Sequence, residues 1–138
     1  MSAQTVIITG ANSGIGFQAA RHFAKKNANV VMACRSVDKA EMARQDILAE
    51  SPNSNPVVMK LDVSDLDSIK EFCQKFANEQ GALDILINNA GIVAIPLARN
   101  NAGHEMQLAT NYLGAFALTG GLLPHFVKDK PARIVNVG

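Results

Sequence analysis

Three glycines near the start of the chain have the type and spacing needed to hold a phosphate group. Gly10, Gly14 and Gly16 follow a short β-branched run and precede a helical pattern. A residue without a Cβ lets the backbone approach a pyrophosphate closely, and a helix N-terminus directs unpaired N–H groups at the anion. Asn12 and Ser13 can add side-chain donors. A turn that only packs a strand against a helix is the alternative, but the position between strand and helix favours a dinucleotide site.

These residues must be positioned by alternating strands and helices. Apolar, β-branched runs predict five strands, at Thr5–Thr9, Val30–Ala33, Val57–Leu61, Ile85–Asn88 and Arg133–Val137. Helix-forming stretches between them predict helices at Ile15–Lys26, at Val37–Glu50, from Ser64 to about Gly81, and from about Gly103 to Leu123. Continuous apolar strands separated by helices are typical of a parallel sheet that is covered on both faces.

The alternation predicts one α/β domain over residues 1–138, a doubly wound Rossmann-type parallel sheet with strand order 3-2-1-4-5. Ligands bind such a sheet outside the carboxyl ends of strands one and four. The glycine turn follows strand one, and Asn88-Asn89-Ala90-Gly91 follows strand four. Strand five forms an open edge, and strands four and five are expected to be bare on one face. Self-association through strand five is therefore expected.

Composition excludes several classes of function. The chain has 138 residues and a net charge of +1, without a basic stripe for nucleic acid. Neither the three histidines nor Cys34 and Cys73 have metal-ligand spacing, so no metal site is predicted, and free thiols favour a cytoplasmic location. The segment from Gln107 to Val127 carries no Lys, Arg, Asp or Glu, but its polar residues and glycines favour a buried helix over a membrane span.

Several motifs in order resemble the short-chain dehydrogenase/reductase family over the whole chain. They are the glycine turn Thr9–Gly16, which includes Ile15, then Arg35, Leu61-Asp62-Val63, Asn88–Gly91, Asn111 and Arg133–Val137. The stretch from Gly103 to Gly114 more particularly resembles retinol-dehydrogenase-like carbonyl reductases. The resemblance implies an oxidoreductase that interconverts a carbonyl and an alcohol by hydride transfer.

The resemblance also implies roles for individual residues. Asp62 would accept a hydrogen bond from the adenine amino group and Val63 would support the ring edge, although an Asp that only shapes a turn is the alternative. Asn89, Ala90 and Gly91 would line the adenosine and nicotinamide-ribose side, while Asn88 bridges neighbouring strands. Asn111 matches the family's active-site asparagine, which holds a water in the proton relay. A polar residue on a buried helix is its alternative.

The residues after strand two predict the choice of cofactor. An enzyme that selects NAD generally has a carboxylate there, which binds the ribose hydroxyls. Here Arg35 and Ser36 follow the strand, and Lys39 is near. The guanidinium can bind a 2′-phosphate through two hydrogen bonds, so NADP(H) is predicted over NAD(H), although a solvated surface arginine remains the alternative. Asp38 is expected to cap the next helix instead.

The catalytic pair that the resemblance implies is missing from these 138 residues. The family uses a Ser beyond strand five and a Tyr-x-x-x-Lys pair, but the one tyrosine, Tyr112, is followed four residues later by Phe116. We therefore expect the chain to be the amino-terminal, cofactor-binding portion of such an oxidoreductase, truncated before the last strands. A non-catalytic dinucleotide-binding fragment and a partner-dependent piece are the alternatives, and the substrate is left open.

Overall fold

The computed structural model describes residues 3–138. Five parallel strands form one sheet in the order β3-β2-β1-β4-β5. They are β1 (Thr5–Thr9), β2 (Asn29–Cys34), β3 (Val57–Lys60), β4 (Ile85–Asn88) and β5 (Arg133–Asn136). The predicted doubly wound α/β fold and its strand order are confirmed, with strand bounds that differ by one residue at most.

The helices lie between the strands as predicted. They are α1 (Gly14–Lys25), α2 (Val37–Glu50), α3 (Leu66–Glu79), the short α4 (Met106–Leu108), a π-helical turn (Ala109–Leu113), α5 (Gly114–Leu122) and a 3-10 turn (Leu123–His125). Within residues 3–138, no helix is long and apolar enough to cross a membrane.

Two apolar cores cover the two faces of the sheet. On one face α1 and α2 pack over alternate residues of β1 and β2, such as Val6 and Met32. On the other face α3 and α5 pack over the intervening residues, such as Ile7 and Val31. Because side chains alternate across a strand, β1 to β4 each contribute to both cores, which explains their continuous apolar runs in the sequence.

Local hydrogen bonds move two predicted helix starts. The last long helix begins at Met106 rather than near Gly103, because the Glu105 carboxylate accepts from the N–H groups of Gln107 and Leu108. α3 is capped by Asp65, which accepts from the Asp67 N–H at 2.9 Å. The sequence predicted Ser64 as the cap of this helix, and the actual cap is the next residue, Asp65.

The expectation that β4 would be bare on one face is also wrong. Ile85, Leu86 and Ile87 are all buried, because α1 on one side and α5 on the other reach over this strand. Of these two strands only β5 is exposed, and it is exposed at every residue. The open apolar surface is therefore narrower than the sequence predicted.

Candidate functional site

A cleft of about 470 Å³ lies at the carboxyl ends of β1, β2, β3 and β4. Most of the predicted cofactor residues line it: Gly10, Asn12, Ser13, Arg35, Ser36, Asp62, Val63, Asn89, Ala90 and Gly91. The remaining three, Gly14, Ile15 and Gly16, form the first turn of α1 beside it. The structure thus brings together residues from four loops that are far apart in the sequence.

The glycine turn is held by close backbone packing. Gly10 has a φ of +64°, and a Cβ there would lie 3.2 Å from the Ala90 Cα. A Cβ on Gly16 would overlap the carbonyl oxygen of Gly10. Gly10 therefore supplies the left-handed turn, and Gly16 allows α1 to begin directly against it.

The N-terminus of α1 is left without a side-chain cap. Ser13 precedes the helix but makes no side-chain hydrogen bond to it, and the first turn has no acidic residue. By contrast, Ser36, Asp65 and Glu105 cap α2, α3 and α4. The positive end of α1 is thus available to an anion at the edge of the cleft.

Basic residues line the cleft at the end of β2. The side chains of Arg35 and Lys39 take part in none of the ion pairs among residues 3–138, whereas Arg21 and Arg44 do. The Ser36 hydroxyl accepts from the Lys39 N–H at 3.4 Å. Ser36 is therefore the cap of α2, and the expectation that Asp38 caps this helix is wrong, since Asp38 lies in its first turn.

The opposite wall of the cleft is a turn after β3. The Asp62 carboxylate oxygen Oδ1 accepts from the N–H of Ser64 at 3.0 Å and from its hydroxyl at 2.7 Å. Asp62 therefore shapes the turn, as its alternative interpretation held, and it also lines the cleft. Val63 is buried beside it.

Thr9 and Asn89 join the two loops at the switch point. The Thr9 hydroxyl oxygen accepts from the N–H groups of Asn89 and Ala90, both at 2.9 Å. The Asn89 side-chain nitrogen donates to the carbonyl oxygens of Thr9 and Gly10, at 3.1 and 3.3 Å. Asn89 thus fixes the glycine turn besides lining the cleft. Thr9 was predicted only as the first residue of the Thr9–Gly16 motif, and its hydroxyl has the further role of joining the two loops.

Asn88 lies beneath this junction and bridges strands as predicted. Its side-chain nitrogen donates to the Asn136 side-chain oxygen at 2.9 Å and to the Thr119 hydroxyl at 3.1 Å. Asn88 and Asn136 are also register partners in the sheet. β4, β5 and α5 are therefore tied together at the end of the sheet that carries the cleft.

Asn111 lies in a neighbouring groove rather than in the cleft. This groove is lined by Asn111, Tyr112, Phe116 and the end of β5, and it shares Asn89, Ala90, Gly91 and Ile92 with the cleft. The Asn111 amide is hydrogen-bonded to the main chain of Ile92. The π-helical turn that carries Asn111 is an irregularity often found at functional sites.

Other residues complete the cleft without having been predicted for it. They are Ala33, Leu61, Ser64, Ile92, Ile95, Met106 and Thr110, whereas Lys39 was expected to assist Arg35 at a phosphate. Adjacency to Gly91 could have indicated Ile92 and Ile95. Met106 and Thr110 reach the cleft only through the packing of the helical segment, which leaves no local signal.

Neither cysteine is suited to chemistry at the cleft. Burial raises the pKa of the Cys34 thiol, although the backbone of Ala11 and Asn12 acts in the opposite direction. Burial likewise raises the pKa of Cys73. Both thiols are free, and over residues 3–138 no cluster of His, Cys, Asp and Glu is arranged to hold a metal ion.

Comparison with known proteins agrees with this architecture. Retinol dehydrogenase 12 of Bos taurus is 46% identical over 134 residues, which cover 97% of this chain and 42% of that protein. Retinol dehydrogenase 13 of Mus musculus is 44% identical over 134 residues, 97% of this chain and 40% of that protein. The chain thus spans about two fifths of the length of these curated relatives.

Solved structures show the same fold. A metagenomic short-chain oxidoreductase in complex with NADP superposes with a TM-score of 0.84 and is 28% identical, over 98% of this chain and 61% of that one. The family model for short chain dehydrogenase matches residues 4–138. Since this match accompanies the glycine turn, the Asn88–Gly91 motif and the strand order, the chain belongs to the short chain dehydrogenase family.

Proposed function

We propose that the cleft binds NADP(H), and that the chain is the cofactor-binding portion of an oxidoreductase that interconverts a carbonyl and an alcohol. One observation carries the proposal: the uncapped N-terminus of α1 and the cations Arg35 and Lys39, which have no ion-pair partner among residues 3–138, border the same cleft. Two separate positive regions suit a ligand that carries phosphates at two places.

The residues present fit such a ligand from end to end. The first turn of α1 and the glycine turn would hold the pyrophosphate, and Arg35, Ser36 and Lys39 would hold the 2′-phosphate. Asp62 and Val63 would face the adenine, since one carboxylate oxygen of Asp62 is used by Ser64 and the other remains for a ligand. Bound nicotinamide supplies the hydride, so the role of this chain is to bind and orient it.

The substrate side of the proposal rests on the groove next to the cleft. It shares Asn89, Gly91 and Ile92 with the cofactor cleft and contains Asn111. Relatives named as retinol dehydrogenases support a carbonyl or alcohol as the substrate class. We propose that Asn111 acts at this end, with its side chain fixed by Ile92. A cytoplasmic location is proposed from the free thiols alone.

Calorimetric titration of the chain with NADPH and NADH tests the proposal. We expect NADPH to bind at least about tenfold more tightly, since a charge-assisted bidentate contact contributes on the order of 1.5–3 kcal/mol. Arg35→Asp should reverse the preference. Lys70→Asp, which makes the same charge reversal on the exposed side of α3, should leave it unchanged. Equal affinities for both cofactors in the unmodified chain would contradict the assignment of NADP(H).

A second candidate function is a binding piece that acts through a partner polypeptide. The exposure of Ile134 and Val135 on β5, and of Val137 just after it, favours this function, because apolar residues on an open strand are suited to association. The two candidates differ in one measurement: binding of NADPH by the chain alone supports the first, and binding only after addition of a partner polypeptide supports the second.

A further inference from the structure

Hydrogen bonds among neighbouring residues hold much of the turn after β3. Asp62 accepts from Ser64, and the Asp62 N–H donates to the Ser68 hydroxyl at 2.9 Å. The Ser64 carbonyl oxygen instead accepts from the side-chain nitrogen of Asn100 at 2.9 Å. Asn100 lies 36 residues further along the chain, in the loop that follows β4. One side chain thus connects the turn after β3 to the loop after β4, and residues of both segments line the cleft.

The orientation of the Asn100 amide is determined by its own loop. Its oxygen accepts from the N–H of Ala102 at 3.1 Å and from the N–H of His104 at 2.9 Å. Since a backbone N–H can only donate, the oxygen must face these two groups, and the amide nitrogen must face Ser64. The backbone N–H of Asn100 also donates to the His104 carbonyl at 2.9 Å. Asn100 is therefore held rigidly before any ligand binds.

A second contact clamps the same turn from the helical segment. A Cβ on Gly114 would overlap the Val63 carbonyl oxygen, so the start of α5 lies directly against the turn. Ser64 is held by Asn100 on one side, and Val63 is held by Gly114 on the other. Asn100 does not itself line the cleft, whereas Asp62, Val63 and Ser64 do. An effect of Asn100 on a ligand is therefore indirect, and the hydrogen bond to Ser64 connects Asn100 to this turn.

We propose that Asn100 is a positioning residue for the adenosine half of the cofactor, because its hydrogen bond to Ser64 holds Asp62 and Val63 in the geometry that receives the adenine. This proposal rests on the proposed NADP(H) function. A turn that has lost this bond must be ordered when the ligand binds, and the cost appears as a weaker affinity. Loss of one neutral hydrogen bond corresponds to a decrease of roughly threefold to tenfold.

Two half-ligands separate the positioning role from general loosening. The probes are 2′,5′-ADP, which contains the adenosine and the 2′-phosphate, and nicotinamide mononucleotide, which contains neither. Both are titrated into the full chain by NMR, which can follow millimolar binding. The variants are Asn100→Ala and Asn100→Asp, and the control is Asn101→Ala, whose exposed side chain makes no hydrogen bond among the described residues.

Asn100→Asp is the decisive variant because it keeps an oxygen for Ala102 and His104 but cannot donate to Ser64. We expect both Asn100 variants to bind 2′,5′-ADP roughly threefold to tenfold more weakly than the unmodified chain does. Their affinity for nicotinamide mononucleotide should equal that of the unmodified chain. If Asn100→Ala does not fold, Asn100→Asp alone gives the answer.

Three results would overturn the assignment of Asn100. The first is an Asn100→Asp variant that binds 2′,5′-ADP as tightly as the unmodified chain. The second is an equal loss of affinity for both half-ligands, and the third is the same loss in Asn101→Ala. An unmodified chain that binds neither half-ligand would overturn the NADP(H) proposal itself, so the two failures are distinguishable.

Discussion

The side chain of Asn111 and the main chain of Ile92 form a closed pair of hydrogen bonds. The Asn111 amide nitrogen donates to the Ile92 carbonyl at 2.7 Å, and the amide oxygen accepts from the Ile92 N–H at 2.8 Å. This pair fixes the backbone immediately after Gly91 to the π-helical turn. The wall shared by the cofactor cleft and the neighbouring groove therefore depends on one asparagine.

We predict that Asn111→Ala releases this segment. Two neutral hydrogen bonds are lost, so the free energy of unfolding should fall by about 1–2 kcal/mol. Hydrogen exchange at the Ile92 amide should become roughly tenfold faster or more. Asn53→Ala, in an exposed loop, is the control and should change neither quantity. An Ile92 amide that exchanges equally slowly in Asn111→Ala would show that this contact does not fix the loop.

The sequence was sufficient to predict the fold and most of the cleft for a physical reason. In a parallel sheet all carboxyl ends meet at one edge, so motifs that follow strands one to four must converge there. Gly10, Arg35 and Asn89 directly follow a strand, Asp62 lies two residues after one, and all four line the cleft. Their placement required only the order of the elements.

Contacts between distant segments could not be predicted in the same way. Asn100 bonds to Ser64, and Gly114 packs on Val63, but neither pair has a local pattern that distinguishes it. The π-helical turn around Asn111 could not be predicted either. The sequence pattern there fits an ordinary helix, and packing decides the hydrogen-bond register. The cleft residues were thus predictable where they follow strands, and the contacts that hold them were not.

The glycine turn provides a matched pair of substitutions. A Cβ on Gly16 would overlap the Gly10 carbonyl oxygen, whereas a Cβ on Gly14 would meet no atom within 4 Å. Gly14 has a φ of +56°, so Gly14→Ala costs only backbone strain of about 1–2 kcal/mol. Gly16→Ala must displace the turn itself, at roughly 2–3 kcal/mol, and should also abolish NADPH binding.

Urea unfolding measures the stability of the two variants, and calorimetric titration measures their affinity for NADPH. The larger loss of stability is expected in Gly16→Ala, and measurable NADPH binding is expected only in Gly14→Ala. The prediction is wrong if the two variants are equally stable, or if Gly16→Ala retains the affinity of the unmodified chain.

Asp84 makes the stability of the sheet depend on pH. Its buried carboxylate accepts from the Thr5 N–H at 2.8 Å and lies 2.9 Å from the Lys130 ammonium. Burial acts to raise the pKa of Asp84, but the hydrogen bonds from Lys130 and Thr5 and the Lys130 charge together lower it from its ordinary value of 3.8. The carboxylate thus joins the start of β1 to the loop before β5.

Because the folded-state pKa is lowered, this contribution to stability is complete above pH 3.8 and is lost as the pH falls through the lower folded-state value. We predict a decline in the unfolding free energy as the pH falls below about 4, and a smaller decline in Asp84→Asn. The variant should also be less stable at pH 7. Urea denaturation at a series of pH values measures both effects, and parallel curves for the two proteins would refute the role of Asp84.

β5 forms an open edge of the sheet. β5 pairs with β4 along one side, and no strand within residues 3–138 pairs with its other side. Ile134 and Val135 on this strand remain 43% and 42% exposed, and Val137 just after it is 40% exposed. Open backbone groups beside apolar side chains favour pairing with another strand.

We therefore predict that the chain self-associates through β5 at tens of micromolar, with an average mass in sedimentation equilibrium that rises with concentration. Val135→Lys should shift the chain toward monomer, because an ammonium on an open strand opposes pairing. Val37→Lys is the control. Val37 is as exposed as the apolar residues of β5, at 43%, but it lies on α2, so this variant should associate as the unmodified chain does. Hydrogen exchange provides an independent measure, because pairing protects the β5 amides at high concentration only. A chain that stays monomeric, or a Val37→Lys variant that dissociates as fully as Val135→Lys, would exclude β5 as the contact.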